Sequence, residues 1–137
     1  MKVQKIKQFS VFMPNKPGAL SRLGSLFFEK GINILGIASE VSDDSGLVRI
    51  ALEQDADISA ILSKAGLSSV ETNILSVEVE DKPGELLRVT SALAEGKINI
   101  TTVYGTSVAG SNTSRILIAA QNIDKALALL EEIAAKS

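Results

Sequence analysis

The residue pattern of this chain repeats at a spacing of 66 positions, and that duplication restricts the fold more than any other feature. Ser10, Val11, Lys16, Pro17, Gly18, Leu20, Arg22, Ser25, Glu29, Ile32, Asn33 and Ile34 meet Ser76, Val77, Lys82, Pro83, Gly84, Leu86, Arg88, Ser91, Glu95, Ile98, Asn99 and Ile100. These 12 identities fall between residues 10 and 34. Unrelated segments of that length share roughly one or two, given ordinary residue frequencies. Arg49 and Ile50 meet Arg115 and Ile116 at the same offset. The 137 residues therefore read as two copies of one unit, residues 1–70 and 71–137. A unit this small buries little surface alone, so the copies are expected to share a core edge or a sheet.

Each copy spells the same order of elements. Residues 9–13 and 75–80 read as strands, and in the second Leu75, Val77 and Val79 alternate with Ser76, Glu78 and Glu80, as a strand with one wet face does. Asn15-Lys16-Pro17-Gly18 and Asp81-Lys82-Pro83-Gly84 follow, and a proline just after Asn or Asp signals a helix start. Helices are expected over 17–30 and 83–95, with Leu20, Leu23 and Phe27, or Leu86, Val89 and Leu93, at helical spacing. Gly31 and Gly96 should end them. Second strands over 32–41 and 98–108 lead through turns at 43–46 and 109–112 into third strands over 47–53 and 114–120. Second helices are expected over 57–65 and 123–135. The first copy closes with a strand over 69–72 that runs on into the second copy. The second copy has no residues left for such a strand, and the extra stretch 2–6 is the candidate to supply it. Gly36 and Gly105 are read as bulges or close backbone approaches. The βαββαβ order implies an α+β chain of two ferredoxin-like repeats, with antiparallel sheets side by side and helices on one face.

Composition removes several tenants of that fold. The chain has no Cys and no His. Thiolate or imidazole zinc sites, cysteine nucleophiles and Ser-His-Asp catalysis are therefore excluded. The net charge is −2, and the expected third strands carry no aromatic residue. An RNA-binding sheet needs stacking aromatics and basic residues, so no nucleic-acid partner is expected. No run of about 18 apolar residues appears, so no membrane partner is expected and the location is read as cytoplasmic. No paired acid–base constellation repeats in both copies, so no catalytic residue, metal or cofactor is assigned.

What does repeat is Lys-Pro-Gly at a helix start and Ile-Asn-Ile opening the next strand. On Asn15-Lys16-Pro17-Gly18-Ala19-Leu20 with Gly31-Ile32-Asn33-Ile34, and again on Asp81-Lys82-Pro83-Gly84-Glu85-Leu86 with Lys97-Ile98-Asn99-Ile100, the chain resembles a tandem ACT-domain protein. ACT domains are the small-molecule regulatory modules of amino-acid metabolism, and the resemblance is to a stand-alone tandem, expected to carry no catalytic domain. The resemblance implies a non-enzymatic, allosteric sensor that binds a free amino acid at the border between two ACT units. It implies regulation of a partner enzyme of amino-acid metabolism or of the chain's own assembly. Exposed sheet edges lead to the expectation of a homodimer. On that analogy Asn15, Gly18, Ala19, Leu20, Asn33 and Ile34 form one candidate site, and Asp81, Gly84, Glu85, Leu86, Asn99 and Ile100 its twin.

The chemistry suits a zwitterion. A helix N-terminus presents unpaired N–H groups and roughly half a positive charge to a carboxylate. Gly18 lets a ligand approach its backbone, and the Ala19 and Leu20 amides would complete the cradle. Asn33 both donates and accepts. In the twin, Asp81 has a charge to offer a ligand ammonium. Glu85 replaces Ala19 and opposes the field that draws a carboxylate, which favours the first site. Plainer readings stand beside this one. Lys-Pro-Gly is also a good turn, Asn33 and Asn99 also suit hydrogen bonds to loop backbone, and Arg22 and Arg88 also suit solvated helix faces. A ligand-free assembly module and a small unrecognised enzyme remain the other classes.

Overall fold

The structure is a computed structural model that describes residues 1–43, 45–53 and 57–136. The elements run β1 (Lys2–Pro14), α1 (Ala19–Glu29), β2 (Gly36–Ser42), β3 (Ser45–Leu52), α2 (Ile58–Lys64), β4 (Ser68–Glu80), α3 (Glu85–Glu95), β5 (Ile100–Ser107), β6 (Thr113–Ala120) and α4 (Ile123–Ala135). Two compact units divide them. One is Lys7–Thr72; the other joins Met1–Ile6 to Asn73–Ser137.

In Lys7–Thr72 the strand order is β2-β3-β1-β4. Antiparallel ladders pair Phe9 with Ile50, Val11 with Val48, and Ile37 with Ile50. Side chains alternate across a strand, so Phe9, Val11 and Met13 share one face with Val48, Ile50 and Leu52. Both helices bury their apolar stripes there, Leu23 and Phe27 from α1 and Ile58 and Leu62 from α2. In the other unit the order is β1-β4-β6-β5. Leu75, Val77 and Val79 meet Ile116 and Ile118, beneath Val89 and Leu93 of α3 and Ala126 and Leu130 of α4. Met1 and Val3 pack against that core, and Lys5 Nζ lies 3.1 Å from Asp124 Oδ1. Each unit is thus a ferredoxin-like sandwich with its helices on one face.

The helix ends differ from the sequence reading for a backbone reason. Pro17 and Pro83 lie ahead of the helices, because Gly18 (φ 89°) and Gly84 (φ 94°) take left-handed conformations as N-caps. That dihedral cannot continue a right-handed helix, so α1 and α3 begin at Ala19 and Glu85, two residues later than expected. At the other end, Ile32 N–H donates to Phe27 C=O and Gly31 N–H to Phe28 C=O, with Gly31 at φ 68°. This is the Schellman closure. In the second copy the left-handed residue is Lys97 (φ 60°), not Gly96. Gly96 serves packing instead, since a Cβ there would collide with Leu129 Cδ1. A left-handed lysine is strained where the twin position holds Gly31. Lys97→Gly should therefore stabilise the protein by about 1 kcal/mol, read as a higher urea midpoint with an unchanged m value.

Other boundaries shift modestly. Residues 32–35 and 98–99 are loop, so β2 and β5 start later than expected. The bulge in the second copy lies between Ile100 and Thr102, not at Gly105. Gly105 instead marks a close approach, because a Cβ would sit 3.0 Å from Arg115 C=O. Asp44 of the expected first turn lies outside the described residues. Among the described residues no helix is long and apolar enough to cross a membrane, and no cluster of three or more carboxylates suits a metal ion.

Candidate functional site

The four helices are capped in two ways. Asp57 accepts a hydrogen bond from Ala60 N–H at the start of α2, and Asn122 accepts one from Lys125 N–H at the start of α4. Among the described residues no side chain caps α1 or α3. The first intrahelical bonds there run from Arg22 N–H to Gly18 C=O and from Arg88 N–H to Gly84 C=O, both 3.0 Å. Amides earlier in the turn are the usual orphans of a helix start. Ala19 N–H is committed, donating to Lys16 C=O at 3.3 Å. Leu20 and Ser21 follow in the same first turn and line the cavity described next.

A cavity of about 270 Å³ opens at the start of α1. Its floor is Met13, Gly46 and Val48 of the paired strands, its far wall is Ser39, Glu40 and Val41 of β2, and its near wall is Asn15, Lys16, Gly18, Ala19, Leu20 and Ser21. A Cβ on Gly18 would meet nothing within 4 Å. The cavity reaches the sheet because β2 is an edge strand that no helix covers. Ile37 and Val41 are accordingly half exposed.

The same construction recurs at the start of α3. A cavity of about 460 Å³ is lined by Val79, Glu80, Lys82, Glu85 and Leu86 on one side and by Val103 to Ser107 of β5 and Ser114 to Ile116 of β6 on the other. Nine of its thirteen lining positions are the 66-residue counterparts of positions in the first cavity. The charges differ. Lys82 Nζ lies 3.1 Å from Glu80 and 3.8 Å from Glu85. Its hydrogen bond, then its charge, hold the Glu80 carboxyl below the ordinary range. The residues matching the two glutamates in the first copy are Pro14 and Ala19.

The sequence-derived site residues separate into two groups. Asn15, Gly18, Ala19 and Leu20 line the first cavity, and Glu85 and Leu86 the second. Leu20 and Leu86, read as core, are half exposed at these cavities. Asn15 donates to Asp43 C=O at 3.2 Å and so ties the helix-start loop to the β2–β3 turn. Asp81 accepts from Ser114 Oγ at 3.0 Å, which engages the carboxylate read as an ammonium partner. Asn33 and Ile34 follow the far end of α1, and Asn99 and Ile100 the far end of α3. An 11-residue helix is about 16 Å long, so within one copy a single amino acid cannot touch both Gly18 and Asn33. Asn33 and Asn99 are exposed, and Ile34 packs on its core. Arg22 and Arg88, read as solvated, are engaged. Arg22 donates to Ala65 C=O, and Arg88 pairs with Glu85 at 3.0 Å.

Lys16 and the β2 wall were missed. The Lys16–Lys82 identity inside the repeated motif was a visible signal for the first. The second needed the strand register, which brings β2 opposite the helix start.

A family model for the ACT domain pair matches residues 4–134. The chain belongs to the ACT domain-pair family. No curated protein sequence matches it. Among solved structures, protein BT0572 from Bacteroides thetaiotaomicron superimposes with a TM-score of 0.86 at 22% identity, over 96% of this chain and 90% of that one. The ligand-free regulatory subunit of aspartate kinase from Thermus thermophilus gives a TM-score of 0.70 at 17% identity, over 96% and 94%. The aspartokinase α and β subunits give 0.67 at 18%, over 96% of each chain. At these identities the likeness concerns the fold. Both copies of this ACT pair carry the loop cavity at the start of their first helix.

Proposed function

We propose that this ACT pair is a non-catalytic regulatory module that senses a free amino acid in the cavity at the start of α1. The observation that carries the reading is the contrast in capping: α2 and α4 are capped by their own side chains, whereas α1 opens uncapped into a cavity. A ligand carboxylate there would do for α1 what Asp57 does for α2. It would accept from the Leu20 and Ser21 amides, facing the positive pole of the helix and the Lys16 ammonium. The hydroxyl of Ser39 lies across the cavity, on the side where an ammonium would sit, while the neighbouring Glu40 carboxylate is engaged by Arg49 at 2.6 Å. Apolar Met13, Val41 and Val48 would take the ligand's side chain. Membership of the ACT pair family and the folds shared with aspartate kinase regulatory subunits support a regulatory role. The partner is then an enzyme of amino-acid metabolism, acted on through the differential affinity of two states for the ligand.

The test is a thermal-shift screen against the twenty common amino acids. One of them, or a closely related group, should raise the melting temperature. At 100 times its Kd the gain is about 2.7 kcal/mol. No shift with any amino acid at millimolar concentration overturns the sensor reading.

A further inference from the structure

The two cavities of this duplicated chain are built alike, but one contains a carboxylate of its own. Glu85 opens α3 at the position matching Ala19, and its side chain is only 10% exposed. Burying a carboxylate is unfavourable unless cations hold it. Two do so here: Arg88 Nη2 at 3.0 Å from Oε2, one turn ahead, and Lys82 Nζ at 3.8 Å from Oε1, three residues behind. The negative charge also sits in the first turn of a helix, where the macrodipole favours it. The group is therefore fixed in the cavity wall. It neutralises the lysine and opposes the helix pole that would attract a ligand's carboxylate.

We infer that Glu85 takes the place of the ligand's carboxylate as counterion to Lys82 and to the pole of α3, although it leaves the α3 amides uncapped, so that the second cavity repels a carboxylate and the chain binds one amino acid rather than two. The inference rests on the sensor reading for its stoichiometry, while the role of Glu85 stands on the geometry of the second copy. The clamp is transferable. Lys16 and Arg22 occupy in the first copy the positions of Lys82 and Arg88, so a glutamate at position 19, with Lys16 beside it and Arg22 drawn from Ala65 C=O, should supply the same negative charge and exclude a carboxylate from the first cavity.

The test uses the full chain and a minimal probe, sodium acetate, with sodium chloride at equal ionic strength as control. Acetate-specific stabilisation in thermal melts should be larger for Glu85→Ala than for wild type, and absent from Ala19→Glu. Equilibrium dialysis with the amino acid found in the screen should give one molecule per chain for wild type, two for Glu85→Ala and none for Ala19→Glu. Two per wild-type chain, or no added acetate response in folded Glu85→Ala, overturns the inference and leaves the sensor reading intact. If Glu85→Ala does not fold, Ala19→Glu decides: undiminished acetate or amino-acid binding overturns the inference. If no amino acid binds wild type, the sensor reading fails alone, and the acetate comparison of Glu85→Ala with wild type still judges Glu85.

Discussion

Deleting residues 1–5 should lower the stability of the unit formed by Met1–Ile6 and Asn73–Ser137 by about 4 kcal/mol. The figure follows from what the segment contributes. Met1 and Val3 pack on the core made by Leu75, Val77, Val89 and Leu93. Removing two partly buried apolar side chains costs about 2–3 kcal/mol, and the lost backbone hydrogen bonds of the strand add about 1–2 kcal/mol. The Lys5–Asp124 pair is exposed on both sides and adds little. Urea denaturation of the truncated chain should show the loss as a lower midpoint. A midpoint equal to that of the full chain would mean that Lys2–Ile6 is not structural.

The second large effect concerns Gly18 and its twin. Gly18→Val should weaken the amino acid by at least about 100-fold, equivalent to about 2.7 kcal/mol. The new Cβ projects into space that no other atom fills, and that space is where the carboxylate would sit. Valine at φ 89° is also strained, which should cost about 1–3 kcal/mol of stability. Gly84→Val provides the control. Its φ of 94° predicts the same strain, but the cavity beside it already holds Glu85, so affinity should stay near wild type. Calorimetric titration of the two variants separates lost access from backbone strain, because strain alone would affect both alike. Equal affinities in both variants would place the ligand elsewhere.

Much of this was legible before any coordinates. Two copies of a motif fix each other's alignment, so strands, helices and turns could be read twice and compared. The uncertain boundaries were those set by a backbone state. Lys-Pro-Gly read as a helix start with proline inside, whereas Gly18 is left-handed and leaves Pro17 outside. The continuity of β1 was hidden by Gln8, a polar residue that the strand nonetheless buries to 4% exposure. Half of the candidate site was legible as well, because loop residues adjacent in sequence remain adjacent in space. Asn33 and Asn99 were grouped with those loops by motif, yet a whole helix length separates them. Ser39 to Val41 could not be found without the register of β2 on β3. The Lys82–Glu85–Arg88 spacing was in plain view. What the sequence did not show was that the fold buries the middle charge and makes the outer two its counterions.

The division of the chain also bears on how it is made. The unit Lys7–Thr72 is one uninterrupted stretch, set between Ile6 and Asn73, the two edges of the other unit. During synthesis the inner unit has all its residues as soon as Thr72 emerges. The first six residues must wait for the last sixty-odd, an interval of roughly 3–13 s at ordinary translation rates. Throughout that time a nascent strand stands without its neighbour; Lys2 and Lys5 are spaced along it, and charges of this kind disfavour pairing of a bare edge with another chain.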